Sequence, residues 1–272
     1  MKFDLHVHTN YSDGKFKPSK VIDIAVERNL NGIAITDHDT VSGLDEAIEY
    51  SKQYKNFKVI PGIELGCVYN DEEVHILGYF IDYNSKELLK VTEQLRKNRV
   101  ERGKEIIDKL RDLNIGISQN EVQSLSKEDF IGRVHIARVL VKKNYAASIA
   151  DAFERYLNKN SIAYVARETL TIEESINLIN STNGIAVLAH PGLLKEKEII
   201  INYCIKNGIQ GIECIHSKHS QIDTEMFKNI AKKEKLLITA GSDCHGEIID
   251  NDLLLGKFYI GKDEMSRIER LI

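Results

Sequence analysis

The stretch Lys2-Phe3-Asp4-Leu5-His6-Val7-His8 decides how the chain folds. Read as a strand, alternation places Asp4, His6 and His8 on one face and Phe3, Leu5 and Val7 on the other. An acid and two imidazoles in an otherwise apolar segment are costly to bury unless something positive lies against them. Three comparable rows recur: Thr36-Asp37-His38-Asp39, Ala189-His190-Pro191 and Gly241-Ser242-Asp243-Cys244-His245. Each follows a predicted strand, and the four rows are expected to converge on a cluster of metal ions.

Between these rows, strands and helices alternate. Pro18-Ser19 opens a helix with apolar residues at Val21, Ile22, Ala25 and Val26. A strand over 32–36 ends at Asp37-His38-Asp39, a helix covers 44–54, and a strand over 57–65 carries Glu64 near its end. Asn70-Asp71 turns the chain into 74–79, an expected antiparallel partner to what precedes it. After residue 160 the alternation resumes: helix 173–181, strand 184–189 ending at His190, helix 195–207, strand 211–215 ending at His216, helix 222–234, and strand 236–240 leading to Asp243 and His245. Near-continuous apolar strands alternating with helices predict a parallel sheet covered by helices. About seven strands with polar residues at their C-terminal ends predict a closed α/β barrel with its active site on that face. An open doubly wound sheet would hold the ligands of the first and last strands too far apart to meet.

Residues 85–113 form a long charged helix whose charges read mostly as a solvated face. Further helices at 133–143 and 147–157 interrupt the alternation. We therefore read 1–98 and 161–272 as the barrel and 99–160 as an inserted helical subdomain.

With 272 residues the chain can bury a large core. Its 42% hydrophobic and 29% charged residues are ordinary for a soluble globular protein. A net charge of −4 argues against long duplex nucleic acid held by bulk electrostatics, and leaves room for a local basic groove. The cysteines (Cys67, Cys204, Cys214, Cys244) form no CxxC pair, no apolar leader follows Met1, and no apolar run is long enough to span a bilayer. A reducing cytoplasm, away from membranes, is the expected setting.

The candidate metal ligands are His6, His8, Asp13, His38, Glu64, His75, His190, Asp243 and His245. Mixed imidazole and carboxylate suits Zn, Mn or Fe better than Ca or Mg. Nine groups exceed what one tetrahedral ion needs, so two or three ions are expected, with Glu64 a natural bridge. Asp4 and Asp37 are placed as acceptors that fix imidazole orientation. A lone histidine such as His75 is more often a packed residue. Seven of the nine histidines at strand ends are harder to attribute to packing; His135 and His219 are the two left over.

The runs Asp4-Leu5-His6-Val7-His8-Thr9, Thr36-Asp37-His38-Asp39, Pro61-Gly62-Ile63-Glu64, Ala189-His190-Pro191-Gly192 and Gly241-Ser242-Asp243-Cys244-His245 together resemble the polymerase and histidinol phosphatase (PHP) family. The resemblance implies a distorted (β/α)7 TIM-like barrel with a trinuclear metal centre. It puts His6, His8, Glu64 and Asp243 on one ion, Glu64, His75 and His190 on a second, and Asp13, His38 and His245 on a third. Within the family the chain is most similar to nucleoside 3′,5′-bisphosphate phosphatases and 5′-to-3′ exoribonucleases. That likeness rests on Arg133-Val134-His135-Ile136-Ala137-Arg138, Tyr164-Val165 and Ser217-Lys218-His219-Ser220. One departure is Leu193-Leu194, where such proteins often carry an arginine soon after His-Pro-Gly; Arg167 is the residue expected to compensate.

The expected activity is hydrolysis of a phosphomonoester by a metal-bridging hydroxide, with ions stabilising the equatorial oxygens. Expected substrates are nucleotides such as pAp or AMP, or short 5′-phosphorylated oligonucleotides. A phosphatase for a non-nucleotide metabolite such as histidinol phosphate, and a non-catalytic metal-binding PHP module, are the alternatives. Arg133, His135, Arg138, Arg167 and Ser242 are candidate substrate contacts, since guanidinium offers phosphate a bidentate fork. His216 and His219 are candidates to bind phosphate or protonate the leaving group, and join Asp37 as candidate catalytic residues. Cys244, between two proposed ligands, reads as a small packed side chain.

Overall fold

The computed structural model describes residues 1–127, 130–249 and 251–272. Among the described residues eight strands form the main sheet, seven in one continuous order and a short one beside β3. β1 (Phe3–Val7), β2 (Gly32–Ile35) and β3 (Lys58–Tyr69) run parallel in that order. Asn70 and Asp71 then adopt φ values of 46° and 65°, and Tyr69 pairs with Glu72 across them. Two consecutive positive φ angles are what a tight two-residue hairpin requires, and Asn and Asp tolerate them. The chain therefore returns as β4 (Glu72–Tyr79), antiparallel to β3, as the turn chemistry implied. The two-residue β5 (Leu170–Thr171) pairs with the outer end of β3. β6 (Ile185–Leu188) lies antiparallel to β4, and β7 (Gly211–His216) and β8 (Leu237–Gly241) follow in parallel. The sheet comes back on itself: His8 N–H bonds the Cys244 carbonyl at 3.1 Å and Asp243 N–H bonds the His6 carbonyl at 2.9 Å. This nearly closed sheet is the distorted barrel the sequence implied.

Helices cover the outside of the barrel. Proline stands at the first position of α1 (Pro18–Glu27), where its missing N–H costs nothing. α2 (Leu44–Ser51) ends earlier than the sequence reading placed it. α3 (Lys86–Asp112), α4 (Gln119–Gln123), α5 (Arg133–Lys142) and α6 (Ile149–Ala152), which continues into a π-helical turn over Phe153–Leu157, precede α7 (Ile172–Ser181). α8 (Lys197–Lys206) and α9 (Gln221–Lys233) flank β7 in the chain. The hairpin of β9 (Ile248–Ile249) and β10 (Asp252–Leu253) leads to α10 (Lys262–Ile268).

Three cores follow. The outward strand residues, such as Ile33, Ile76 and Ile212, pack on α1, α2, α7, α8 and α9. The barrel floor holds Phe3, Leu5, Ala34, Ile60, Leu77, Tyr79 and Val187, closed by Met265 and Ile268 of α10. A separate core is built from residues 106–163, with Ile106, Leu110, Ile136, Leu140 and Leu157 among its buried members. α3 joins the two regions, with Leu88 and Leu95 in the barrel core and Ile106 and Leu110 in the helical one.

Strict alternation on β1 does not hold. Asp4 pairs with Ile33 and Val7 with Ile35, so three steps of β1 face two of β2. This extra residue is a β-bulge, which re-aims side chains. Leu5 enters the barrel floor and its neighbour His6 also turns inward, while Val7 packs outward. Asp4 consequently sits apart from the imidazoles. Its carboxylate accepts backbone N–H bonds from Ser242 (2.9 Å) and Gly256 (2.7 Å), not from any histidine ring.

Candidate metal centre and active-site pocket

Glu64 occupies the middle of the open end of the barrel and is fully buried. Five imidazoles surround it. Oε2 lies 3.3 Å from His6 Nε2, 3.2 Å from His8 Nε2 and 2.9 Å from His38 Nδ1. Oε1 lies 2.8 Å from His75 Nδ1 and 3.0 Å from His190 Nε2. Asp243 Oδ1 approaches His6 Nε2 (3.4 Å) and His8 Nε2 (3.1 Å), and Asp13 Oδ1 lies 3.1 Å from His245 Nε2. These side chains arrive from β1 and the loop after it, the turns after β2 and β6, β3, β4 and the segment after β8. His75 sits on β4 itself, because an antiparallel strand enters the open face with its first half.

Three sets of donor atoms lie within 4.8 Å of one another: His6, His8, Glu64 and Asp243; His38, Glu64 and His75; and His8, Asp13, His38 and His245. His190 joins the second set through Glu64 and through His75 Nδ1, 3.3 Å from its Nε2. All nine sequence-predicted ligands are thus brought together. Separations of roughly 3 to 3.5 Å match the edge of a coordination sphere with bonds of about 2.1 Å. His6 Nε2, both nitrogens of His8, His38 Nδ1 and Glu64 Oε2 are buried without a hydrogen-bond partner. Buried polar atoms are normally satisfied, so a group of convergent orphans fits bound cations.

The electrostatics point the same way. Burial pushes the carboxyls of Asp13, Glu64 and Asp243 up, but the imidazoles around them hold all three well below the usual carboxylate range. Burial likewise opposes charge on His75 and His245, yet Glu64 and Asp13 respectively carry them up to about 10. His190 is pushed down to about 4 by burial. The ring of acids demands positive charge, which a proton or a divalent ion can supply.

A pocket of about 210 Å³ opens over this centre, lined also by Glu73, Arg99, Arg133, Phe153, Leu193 and Lys218. Arg133, at the start of α5, lines it and pairs with Glu73. Its neighbour on the helix, Arg138, points elsewhere and pairs with Glu247 at 2.7 Å. His135 is fully buried; its Nδ1 accepts the Gly132 N–H at 3.2 Å, so Nε2 carries the hydrogen.

Several expected roles do not match the geometry. Arg167 does not line the pocket; its guanidinium bonds Asp39 at 2.6 Å, as that of Arg99 does. Arg99, which the sequence reading gave no role, lines the pocket in its place. Ser242 is fully buried with its hydroxyl on the His6 carbonyl at 3.5 Å, beneath the centre. Asp37 orients no imidazole: it accepts the Thr9 N–H (2.7 Å) and the Thr9 and Ser12 hydroxyls, which fixes the loop carrying Asp13. His219 has no nitrogen free for proton transfer, since Nε2 accepts the Gly192 N–H and Nδ1 faces the Cys214 carbonyl, both at 3.1 Å. His216 Nδ1 accepts the Lys218 N–H, so its Nε2 hydrogen faces Asp243 Oδ2 at 3.5 Å. It holds Asp243.

Glu213 went unnoticed in the sequence. An acid between Ile212 and Cys214 in an apolar strand was the available signal, since such a charge needs a buried partner. Its partners are His6 and the His190 backbone.

Comparison with known proteins agrees with this geometry. The chain is 32% identical over 249 residues to the 5′-3′ exoribonuclease Rnm of Escherichia coli, covering 89% of this chain and 85% of that protein. It is 31% identical over 247 residues to the 3′,5′-nucleoside bisphosphate phosphatase of Chromobacterium violaceum, covering 89% and 86%. A crystal structure from Bifidobacterium adolescentis, described as a metal-dependent phosphoesterase, superposes with a TM-score of 0.89 at 30% identity, over 99% of this chain and 96% of that one. The PHP domain model matches residues 4–248. The chain belongs to the PHP domain family and is a hydrolase of phosphoester bonds.

Proposed function

We propose that the protein is a metal-dependent phosphoesterase for nucleotides, acting on the phosphomonoesters of 3′,5′-bisphosphonucleotides such as pAp or on short 5′-phosphorylated oligonucleotides. The observation that carries this reading is Glu64, ringed by five imidazoles at the base of a pocket whose rim bears Arg99, Arg133 and Lys218. The names of the two relatives above support a nucleotide substrate. His6, His8, Asp13, His38, Glu64, His75, His190, Asp243 and His245 would hold two or three ions, and their mixed donors favour Mn, Zn or Fe. Such ions, when bound, polarise phosphoryl oxygens and make water acidic enough to supply hydroxide at neutral pH.

The chain's own residues do the rest. Arg133, Gly132 and Val134 present the N-terminus of α5 to the pocket, and a helix N-terminus with an adjacent guanidinium is suited to phosphate. The ion pair with Glu73 holds Arg133 in place before substrate arrives. Phe153, beneath the Arg133 guanidinium at 5.5 Å, offers a flat apolar wall on which a base can stack. His216, with Nε2 3.5 Å from Asp243 Oδ2, would oppose the charge of that carboxylate. Residues 99–160, with their separate core, form the wall that would recognise the nucleotide. Among the described residues no helix is long and apolar enough to cross a membrane, and all four cysteines are buried and free, which supports a cytoplasmic setting.

The test is release of phosphate from pAp, AMP and histidinol phosphate, and of phosphate or nucleoside monophosphate from a 5′-phosphorylated RNA pentamer, each with Mn²⁺ or with chelator. Release from pAp or the RNA with Mn²⁺, and none with chelator, is expected. Faster release from histidinol phosphate, or release that survives chelation, would contradict the proposal.

A further inference from the structure

A histidine binds a metal through a lone pair, so the nitrogen facing the ion must not carry the hydrogen. Which nitrogen that is depends on what the other one touches. His6 Nε2 faces Glu64 and Asp243, while Nδ1 lies 3.1 Å from Glu213 Oε1. A carboxylate accepts only, so this contact puts the hydrogen on Nδ1.

Glu213 has a second task. Its other oxygen accepts the His190 N–H at 2.8 Å. His190 adopts φ 27° and ψ 55°, a conformation that a non-glycine residue keeps only when its surroundings hold it. One fully buried carboxylate therefore ties a ligand of β1 to the turn that carries a ligand after β6. Gly241 makes room for this. A Cβ there would stand 2.1 Å from His6 Cβ and 2.8 Å from Glu213 Oε1. His6, Glu213 and His216 also lie within ligand distance of one another, but both Glu213 oxygens are taken by N–H donors and His216 Nδ1 accepts the Lys218 N–H. This group reads as support, not as a further ion site.

We infer that Glu213 is the positioning residue that locks His6 in its Nδ1–H tautomer, turns the Nε2 lone pair toward Glu64 and Asp243, and holds His190 in its strained turn. The inference rests on the metal reading proposed above. Glutamine at 213 cannot do both jobs. Its oxygen can serve the His190 N–H only if its NH₂ group faces His6 Nδ1, which forces the hydrogen onto Nε2 and removes the lone pair. Turned the other way, NH₂ opposes the His190 N–H.

The experiment is Mn²⁺ titration by calorimetry on wild type, Glu213→Gln, His6→Ala and the double variant, with imidazole ¹⁵N shifts recorded on the same proteins loaded with diamagnetic Zn²⁺. Expected is binding roughly 10- to 100-fold weaker at one site in Glu213→Gln, one imidazole moving from the Nδ1–H to the Nε2–H pattern, and no further loss when the change is made on His6→Ala. If Glu213→Gln does not fold, Glu213→Asp carries the test, with intermediate affinity expected because the charge stays and the reach shortens. Wild-type affinity in the glutamine variant, or an equal additional loss in the His6→Ala background, would overturn the role of Glu213. Failure of the wild-type protein to bind Mn²⁺ would instead strike the metal reading itself.

Discussion

Two carboxylates stand side by side at the open end of the barrel, and their surroundings differ in one respect. The Asp39 N–H donates to the Glu64 carbonyl at 2.9 Å, and both side chains are fully buried. Asp39 faces two guanidiniums, Arg99 and Arg167, each at 2.6 Å, and accepts the Gly66 N–H at 2.9 Å. Those cations never lose their protons, so Asp39 is neutralised from within the chain. Glu64 faces five imidazoles, which can offer lone pairs as readily as protons. One acid is closed by permanent charge and serves architecture, clamping α3 and the segment before β5 to the barrel. The other is left to groups that fit an exchangeable cation, and serves chemistry.

Exchange of each acid for its amide breaks the comparison in opposite ways. Glu64→Gln is expected to abolish retained metal and to lower kcat/KM for phosphate release by at least roughly 1,000-fold, with the fold kept. Asp39→Asn leaves two buried guanidiniums short of their anion and is expected to cost about 3 to 5 kcal/mol of unfolding free energy in urea. Its metal content should stay at the wild-type level. A Glu64→Gln protein with full metal, or an Asp39→Asn protein that lost its metal but none of its stability, would erase the distinction.

A smaller effect tests how α5 meets the centre. Burial lowers the pKa of His135 from 6.5 to about 4. Above pH 6.5 the imidazole is neutral in both the folded and the unfolded chain and contributes nothing to pH dependence. Between pH 6.5 and about 4 the unfolded chain binds the proton first, so stability falls as pH falls, by up to about 3 kcal/mol. His135→Asn retains an acceptor for the Gly132 N–H and should flatten that slope. Unfolding midpoints measured from pH 7.5 to 4.5 decide it, and parallel curves for the two proteins would show that another group is responsible.

The sequence exposed the parts of this molecule that depend on composition and order. Apolar strands alternating with helices announced the barrel, Asn70-Asp71 announced the hairpin that reverses β4, and clustered His and Asp announced the ring around Glu64. It hid what depends on register and reach. No periodicity signals the bulge in β1, so Asp4 was grouped with the imidazoles it does not face. Arg99 was lost in a charged helix while Arg167 stood out from it, and only folding shows that both close on Asp39 while Arg99 alone also lines the pocket. His219 resembled a proton donor until its two nitrogens were traced to a backbone N–H and a carbonyl. Glu213 was one acid among many until its distance to His6 was known.

The most direct measurement is anomalous diffraction at the Mn, Fe and Zn absorption edges, from crystals of protein purified without chelator. The account predicts two or three peaks among the nine ligands, with Glu64 oxygens coordinating at least two of them. A centre with no anomalous peak in protein that still hydrolyses phosphomonoesters would contradict it.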